Sequence, residues 1–217
     1  IYADDEKERL SAGHWVHEQG RVCNISSDWA GVLRNGLLQR RETAGKDSRT
    51  AIDAVIAYAD RFNLEGLSHA VRFGARGYVE ALQLFRVLHF ALWCSNVYHN
   101  TVGRYDQYMY PYFKSDMDVG VYTREEALEL LCDFFLSFNK DSDMYVGVQQ
   151  GDNGQSMMLG GTDINGNDCF NELSLLCLEA SGELKVIDPK INLRVSKRTP
   201  IEIYEKATEL TKVGLGF

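Results

Sequence analysis

The chain has 217 residues, 45% hydrophobic and 25% charged, an ordinary globular composition with enough length for one large domain or two small ones. A formal net charge of -8 argues against nucleic-acid or anionic-membrane surfaces, which need basic patches. No apolar run reaches the ~20 residues that span a bilayer; the richest, residues 91–94 with the turns before them, is interrupted by Arg86 and His89.

In chain order, His14 and His17 come first, flanking Trp15 and Val16. Two histidines three apart can share a helix face and hold a metal, but no third ligand lies nearby, so no metal is expected. A histidine bonding a polar ligand and a solvated histidine both stay open for this pair. Residues 30–41 carry Val32, Leu33, Leu37 and Leu38 at helical spacing, with Asp28 as the N-cap. Residues 49–62 repeat the pattern through Ala51, Ile52, Val55, Ile56 and Ala59. Residues 78–98 are apolar on nearly all sides, which predicts a helix buried between layers with His89 as a satisfied core histidine. Thr123 and Glu126 predict a capping box for a helix ending near Phe138. Residues 156–159 and 192–195 read as short strands, and Asn165-Gly166 as a hairpin-type turn. Thr199, Pro200 and Glu202 predict a second capping box, with Pro at the first helical position. Long helices punctuated by short strands make the class α/β.

Five cysteines are present: Cys23, Cys94, Cys132, Cys169 and Cys177. None forms a C-x-x-C pair, which argues against a zinc site, and their odd number suits a reducing cytosol. Cys94, Cys132 and Cys177 sit in apolar helical patterns and are expected as buried thiols. Asp163 to Asp168 superficially resembles a calcium loop, yet the position that should supply the bidentate Glu is not acidic, so turn chemistry is expected. The sequence starts at Ile1 without a signal-peptide pattern and stops at Phe217, where a loop or strand would begin. Both ends read as cut, and an internal piece of a longer protein is expected.

The densest chemistry lies at residues 101–113, Thr-Val-Gly-Arg-Tyr-Asp-Gln-Tyr-Met-Tyr-Pro-Tyr-Phe. Arg104, Asp106 and Gln107 among so many rings would each need a partner if buried, and such a mix suits the wall of a polar cavity. Arg104 and Asp106 could equally pair with each other, with Gln107 and the tyrosine hydroxyls completing the hydrogen bonding. Tyr98 and His99 stand where the apolar helix gives way to this turn, a common place for ligand contacts.

Four stretches, in order and at matching spacing, resemble the glycyl radical enzymes, the pyruvate formate-lyase-like family. They are the Gly103-Arg104 segment running to Phe113; Leu159-Gly160-Gly161-Thr162-Asp163 with Asp168 and Asn171-Glu172-Leu173-Ser174; Pro189-Lys190-Ile191-Asn192-Leu193-Arg194-Val195; and Gly214-Leu215-Gly216-Phe217. The similarity covers most of the chain from about Asp28, so residues 1–217 read as one partial domain of that family. The resemblance implies a ten-stranded α/β barrel of two half-barrels, of which this chain would supply the first half-barrel and its surrounding helices. It implies a glycyl radical, installed by a radical-SAM activating enzyme on a residue outside this chain, and a thiyl radical on a barrel Cys that also lies beyond Phe217. No Gly-Cys-x-Glu stretch occurs here, so no catalytic residue is assigned and the piece alone is expected to be inactive, without a bound cofactor. The family often forms homodimers.

The Gly-Arg-x-Asp-Gln-Tyr form resembles the dehydratase, decarboxylase and amine-lyase branch, implying radical C–O, C–N or C–C cleavage of a small polar substrate. Acyl transfer of the formate-lyase type is the runner-up and would need adjacent cysteines beyond Phe217; a noncatalytic binding or structural remnant is the alternative from another class. Within that branch the resemblance implies substrate contacts at Tyr98, His99, Thr101 and Asp106, with Arg104, Gln107 and Gln155 bracing the wall. A glycerol-type subgroup carries His-Ser where this chain has Tyr98-His99, so a glycerol or diol substrate is not expected. Many relatives place a pocket aromatic just before the Gln that aligns with Gln155; here that position is Gly154, which implies a larger cavity and a bulkier substrate. His14 aligns with a substrate-contacting region near the family's N-terminus.

Overall fold

The structure, a computed structural model, describes residues 3–5, 8, 25–94, 100–139 and 155–215. The elements run β1 (Ile25–Ser26), α1 (Trp29–Asn35), α2 (Leu38–Thr43), α3 (Lys46–Asp60), α4 (Glu65–Phe73), α5 (Tyr78–Cys94), β2 (Asn100–Thr101), β3 (Gly103–Arg104), α6 (Tyr105–Tyr108), α7 (Tyr110–Asp118), α8 (Arg124–Phe138), β4 (Ser156–Gly160), α9 (Glu172–Leu184), β5 (Lys190–Arg194) and α10 (Ile201–Lys212). No helix among the described residues is long and apolar enough to cross a membrane.

Local sequence explains most helix ends. Asp28 caps α1, its Oδ1 accepting from Gly31 N at 3.0 Å. The Thr123–Glu126 capping box forms in both directions, at 3.2 Å and 2.8 Å. The single helix expected over 30–41 is instead α1 and α2, broken at Gly36-Leu37. Gly36 has φ 66°, and a Cβ there would fall 2.4 Å from the Arg72 backbone, so α1 must stop where it meets α4. Leu37 N donates to Val71 O across that contact at 2.8 Å. The box expected at Thr199 does not form: Pro200 is the N-cap of α10, while the Thr199 hydroxyl donates to Asp168 and accepts from Ser196 N. Of the thiols expected to be buried, Cys177 is, and Cys132 is only half-buried; the Cys94 side chain lies outside what the structure describes.

Among the described residues the named strands pair in parallel, and an isolated antiparallel bridge joins Thr162 to Asp168. β1 pairs with β2, and β3, β4 and β5 form a sheet in that order, with Met157 opposite both Gly103 and Ile191. Val102 N donates to Ser156 O at 2.9 Å, linking the two ladders. The expected strands 156–159 and 192–195 appear as 156–160 and 190–194.

Along β4, Met157 and Leu159 are fully buried while Ser156 and Met158 are half-buried. One side of the sheet therefore packs against helices and the other stays half-open. The packed side leads into an aromatic core, in which Phe85 lies 4.1 Å from Trp29 and 5.5 Å from Phe134, ring centroid to centroid. His89 is fully buried there, 4.9 Å from the Phe138 ring and 3.4 Å from Arg86 through Nδ1. At the N-terminus of α5, Tyr78 OH shares a 3.1 Å hydrogen bond with Tyr105 OH.

Candidate functional site

Parallel strands leave their carboxyl ends facing a common crevice, the usual place for ligands in α/β sheets. Here β3 ends in Arg104, β4 ends in the Gly160-Gly161 turn, and β5 ends in Arg194. Gly161 N donates to Arg194 O at 2.7 Å and so ties two of these ends together.

The Gly-Arg segment reaches across this edge with nearly every polar group. Arg104 does not pair with Asp106. Its Nη2 donates to Gly160 O at 2.9 Å and its Nη1 to Thr162 O at 3.4 Å, capping the carboxyl end of β4. Asp106 is fully buried; its Oδ2 accepts from Gly160 N at 2.6 Å and from Ser174 Oγ at 2.5 Å. Asn171 Nδ2 donates to Asp106 O at 2.9 Å, and Gln107 Nε2 donates to Cys169 O at 2.9 Å. The tyrosine hydroxyls do not serve the carboxylate: Tyr108 OH donates to Val102 O at 2.7 Å, and Tyr105 OH meets Tyr78. Asp106 is thus a tie between α6, β4 and the N-terminus of α9, in place of the open wall contact expected beside Thr101.

Electrostatics follow burial. Burial pushes the Asp106 carboxyl above the usual range, partly offset by the bonds from Gly160 and Ser174 and by the Arg104 charge. Burial also holds the Tyr105 and Tyr108 phenols and the Cys177 thiol far above their ordinary values, so all three stay protonated. Cys177-Leu178-Glu179 has Cys-x-Glu spacing, but it lies on α9. Residues two apart on a helix do not share a face: Cys177 is fully buried, while Glu179 meets Arg124 at the surface. Among the described residues no group of three His, Cys, Asp or Glu side chains could hold a metal ion.

Thr101, half-buried, ends β2, and its carbonyl accepts from Trp29 Nε1 at 3.1 Å. Gln155 is fully buried just before β4; its N–H meets Asp188 Oδ1 at 3.3 Å, and neither atom of its side-chain amide has a partner among the described residues. The structure therefore brings Arg104, Asp106 and Gln107 together on the stretch 160–174, with Thr101 and Gln155 beside them through the Val102–Ser156 bond. His14, Tyr98, His99 and Gly154 lie outside the described residues. Ser174 and Asn171 enter the site without having been singled out from the sequence as site residues. They form a reciprocal cap at the start of α9, Asn171 Oδ1 accepting from Ser174 N at 3.1 Å and Ser174 Oγ from Asn171 N at 2.9 Å. Their three-residue spacing was the available signal.

A family model described as pyruvate formate lyase-like matches residues 65–217. The chain belongs to the pyruvate formate lyase-like family. Among curated members, the chain is 35% identical over 144 residues to the (2S)-3-sulfopropanediol dehydratase of Klebsiella oxytoca, a match covering 63% of this chain and 17% of that protein. It is 30% identical over 178 residues to the 4-hydroxyphenylacetate decarboxylase glycyl radical subunit of Clostridioides difficile, covering 77% of this chain and 19% of that one. The chain thus spans under a fifth of the length of these two relatives. A solved structure concerned with 1,2-propanediol dehydration in Roseburia inulinivorans superposes with a TM-score of 0.77 at 22% identity, covering 100% of this chain and 37% of the other. That likeness extends the shared fold to the described residues before 65.

Proposed function

We propose that this chain is part of a glycyl radical enzyme that cleaves a C–O, C–N or C–C bond in a small polar substrate. Its parallel strands would belong to the first half of a ten-stranded barrel, with residues 1–217 as one partial domain. The observation that carries this is the braced edge: Arg104, Asp106 and Gln107 all place hydrogen bonds on the stretch 160–174. They hold the carboxyl ends of β3 and β4 rigid where a substrate would sit. Radical chemistry asks the protein for positioning and exclusion of water, which such bracing supplies.

In this reading Tyr98, His99 and Thr101 orient the substrate, with His14 as a further contact. Arg104, Asp106, Gln107 and Gln155 hold the wall. Gly154, lacking a ring, leaves room for a substrate bulkier than a three-carbon diol. The glycyl radical would be installed by a radical-SAM activating enzyme on a residue outside this chain, in a cytoplasmic homodimer. The test is electron paramagnetic resonance of the anaerobically activated full-length protein, followed by turnover of (2S)-3-sulfopropanediol, 4-hydroxyphenylacetate and 1,2-propanediol. A glycyl doublet with turnover of a substrate larger than 1,2-propanediol is expected. No doublet with an activase that activates a known relative would end the proposal; turnover of the diol alone would remove the size argument.

A further inference from the structure

Ser26 is the last residue of β1 and pairs in register with Thr101, the last residue of β2. Register partners on neighbouring strands project from the same side of a sheet, and successive residues project from opposite sides. Val102 is fully buried, so Thr101 projects to the side away from the Val102 side chain, and Ser26 with it. Exposure agrees: Ser26 is exposed and Thr101 half-buried.

Space and rigidity are both present. Ser26 Oγ faces Gly103, where a Cβ would lie 3.4 Å from it. Gly103 has φ 72°, so the backbone turns there without a side chain and leaves a gap before the hydroxyl. The two strand ends are held in place by Trp29, whose backbone N donates to Ser27 O at 2.8 Å and whose Nε1 donates to Thr101 O. Ser26 Oγ itself makes no hydrogen bond to a described residue.

We infer that Ser26 is a substrate-positioning residue whose Oγ, together with that of Thr101, holds a hydroxyl group of the substrate over the gap at Gly103. This rests on the function proposed above and identifies the substrate as hydroxyl-bearing at the end held here. A hydroxyl pair both donates and accepts, as a substrate hydroxyl does, and offers no charge to an ionic group. Thr101 therefore acts with Ser26, since Asp106 is committed to Gly160 and Ser174.

Two measurements on the full-length protein decide this. In the activated enzyme, with whichever of the three substrates it turns over, Ser26→Ala should raise KM by about 3- to 10-fold, the size of one neutral hydrogen bond. The kcat and glycyl radical yield should stay within about twofold, and Ser26→Thr should restore KM. A KM left unchanged by Ser26→Ala, or a radical yield falling with kcat, would overturn the assignment. Independently of turnover, a crystal structure of the full-length protein with glycerol as probe should place a glycerol oxygen within hydrogen-bond distance of both hydroxyls. A protein group covering Ser26 Oγ, or no glycerol at the pair, would overturn it. If no glycyl radical forms, the functional reading fails, and the crystal structure still decides the role of Ser26.

Discussion

Asp106 joins three elements through one oxygen. Oδ2 accepts from Gly160 N and Ser174 Oγ, while the buried Oδ1 has no partner among the described residues. Because burial raises its pKa in the fold, folding favours the protonated form, so the stability associated with this group falls as pH rises through the folded value. An Asn at this position would keep one acceptor for both donors and would remove the buried charge. An Ala would strand two buried donors, each costing about 1–3 kcal/mol, and leave a void. Asp106→Ala should therefore speed amide exchange across residues 160–174 by about 100-fold or more, while Asp106→Asn should stay within about tenfold of the wild type. Equal effects of the two substitutions would sink this account. The sequence showed that polar groups among so many rings needed partners. It did not show which, because Gly160 and Ser174 lie 54 and 68 residues away and meet Asp106 only where β4 and the start of α9 come together with α6.

Elements were most legible where their ends are fixed locally. Asp28 and the Thr123–Glu126 box were readable because a cap needs only residues within one turn. The break at Gly36 was not, because it arises from close approach to the Arg72 backbone on another helix. β1, β2 and β3 are two residues each, too short for any period. Contacts between elements can still be tested one at a time. Asp60 at the end of α3 takes bidentate bonds from Arg72 at 2.8 and 2.7 Å and one from Ser68 at 2.8 Å, both on α4. These bonds, led by Arg72, hold its pKa down to about 2 from 3.8. A lowered folded pKa means the contribution is complete above the unfolded value and is lost as pH falls towards 2. Asp60→Asn should thus lower the melting temperature at pH 5, and the gap to wild type should narrow steadily on acidification to pH 3, in scanning calorimetry of the full-length protein. A gap that does not change with pH would show that the clamp is not electrostatic.

For the molecule as a whole, sequence patterns alone supported an α/β class, and the four family-like stretches carried the rest. The half-open side of the sheet was not legible, because the half-buried Ser156, Met158 and Asn192 look like ordinary strand residues in sequence. Parallel sheets are normally covered on both faces, since their strands must bury both sets of side chains. Here Met157, Leu159 and Ile191 are buried on one side only, and β5 has a strand neighbour on one edge only among the described residues. The shared segment is 17% and 19% of the two relatives, so ample polypeptide exists in them to cover such a face. Produced alone, the 217-residue chain should expose it. We expect it to bind the dye ANS and to self-associate at micromolar concentration, whereas the full-length protein does neither. Met158 sits on the open side of the central strand, so Met158→Lys should weaken both dye binding and association while leaving the helical circular dichroism unchanged. A monodisperse, dye-silent chain in light scattering would mean that this face is not hydrophobic enough to need a cover.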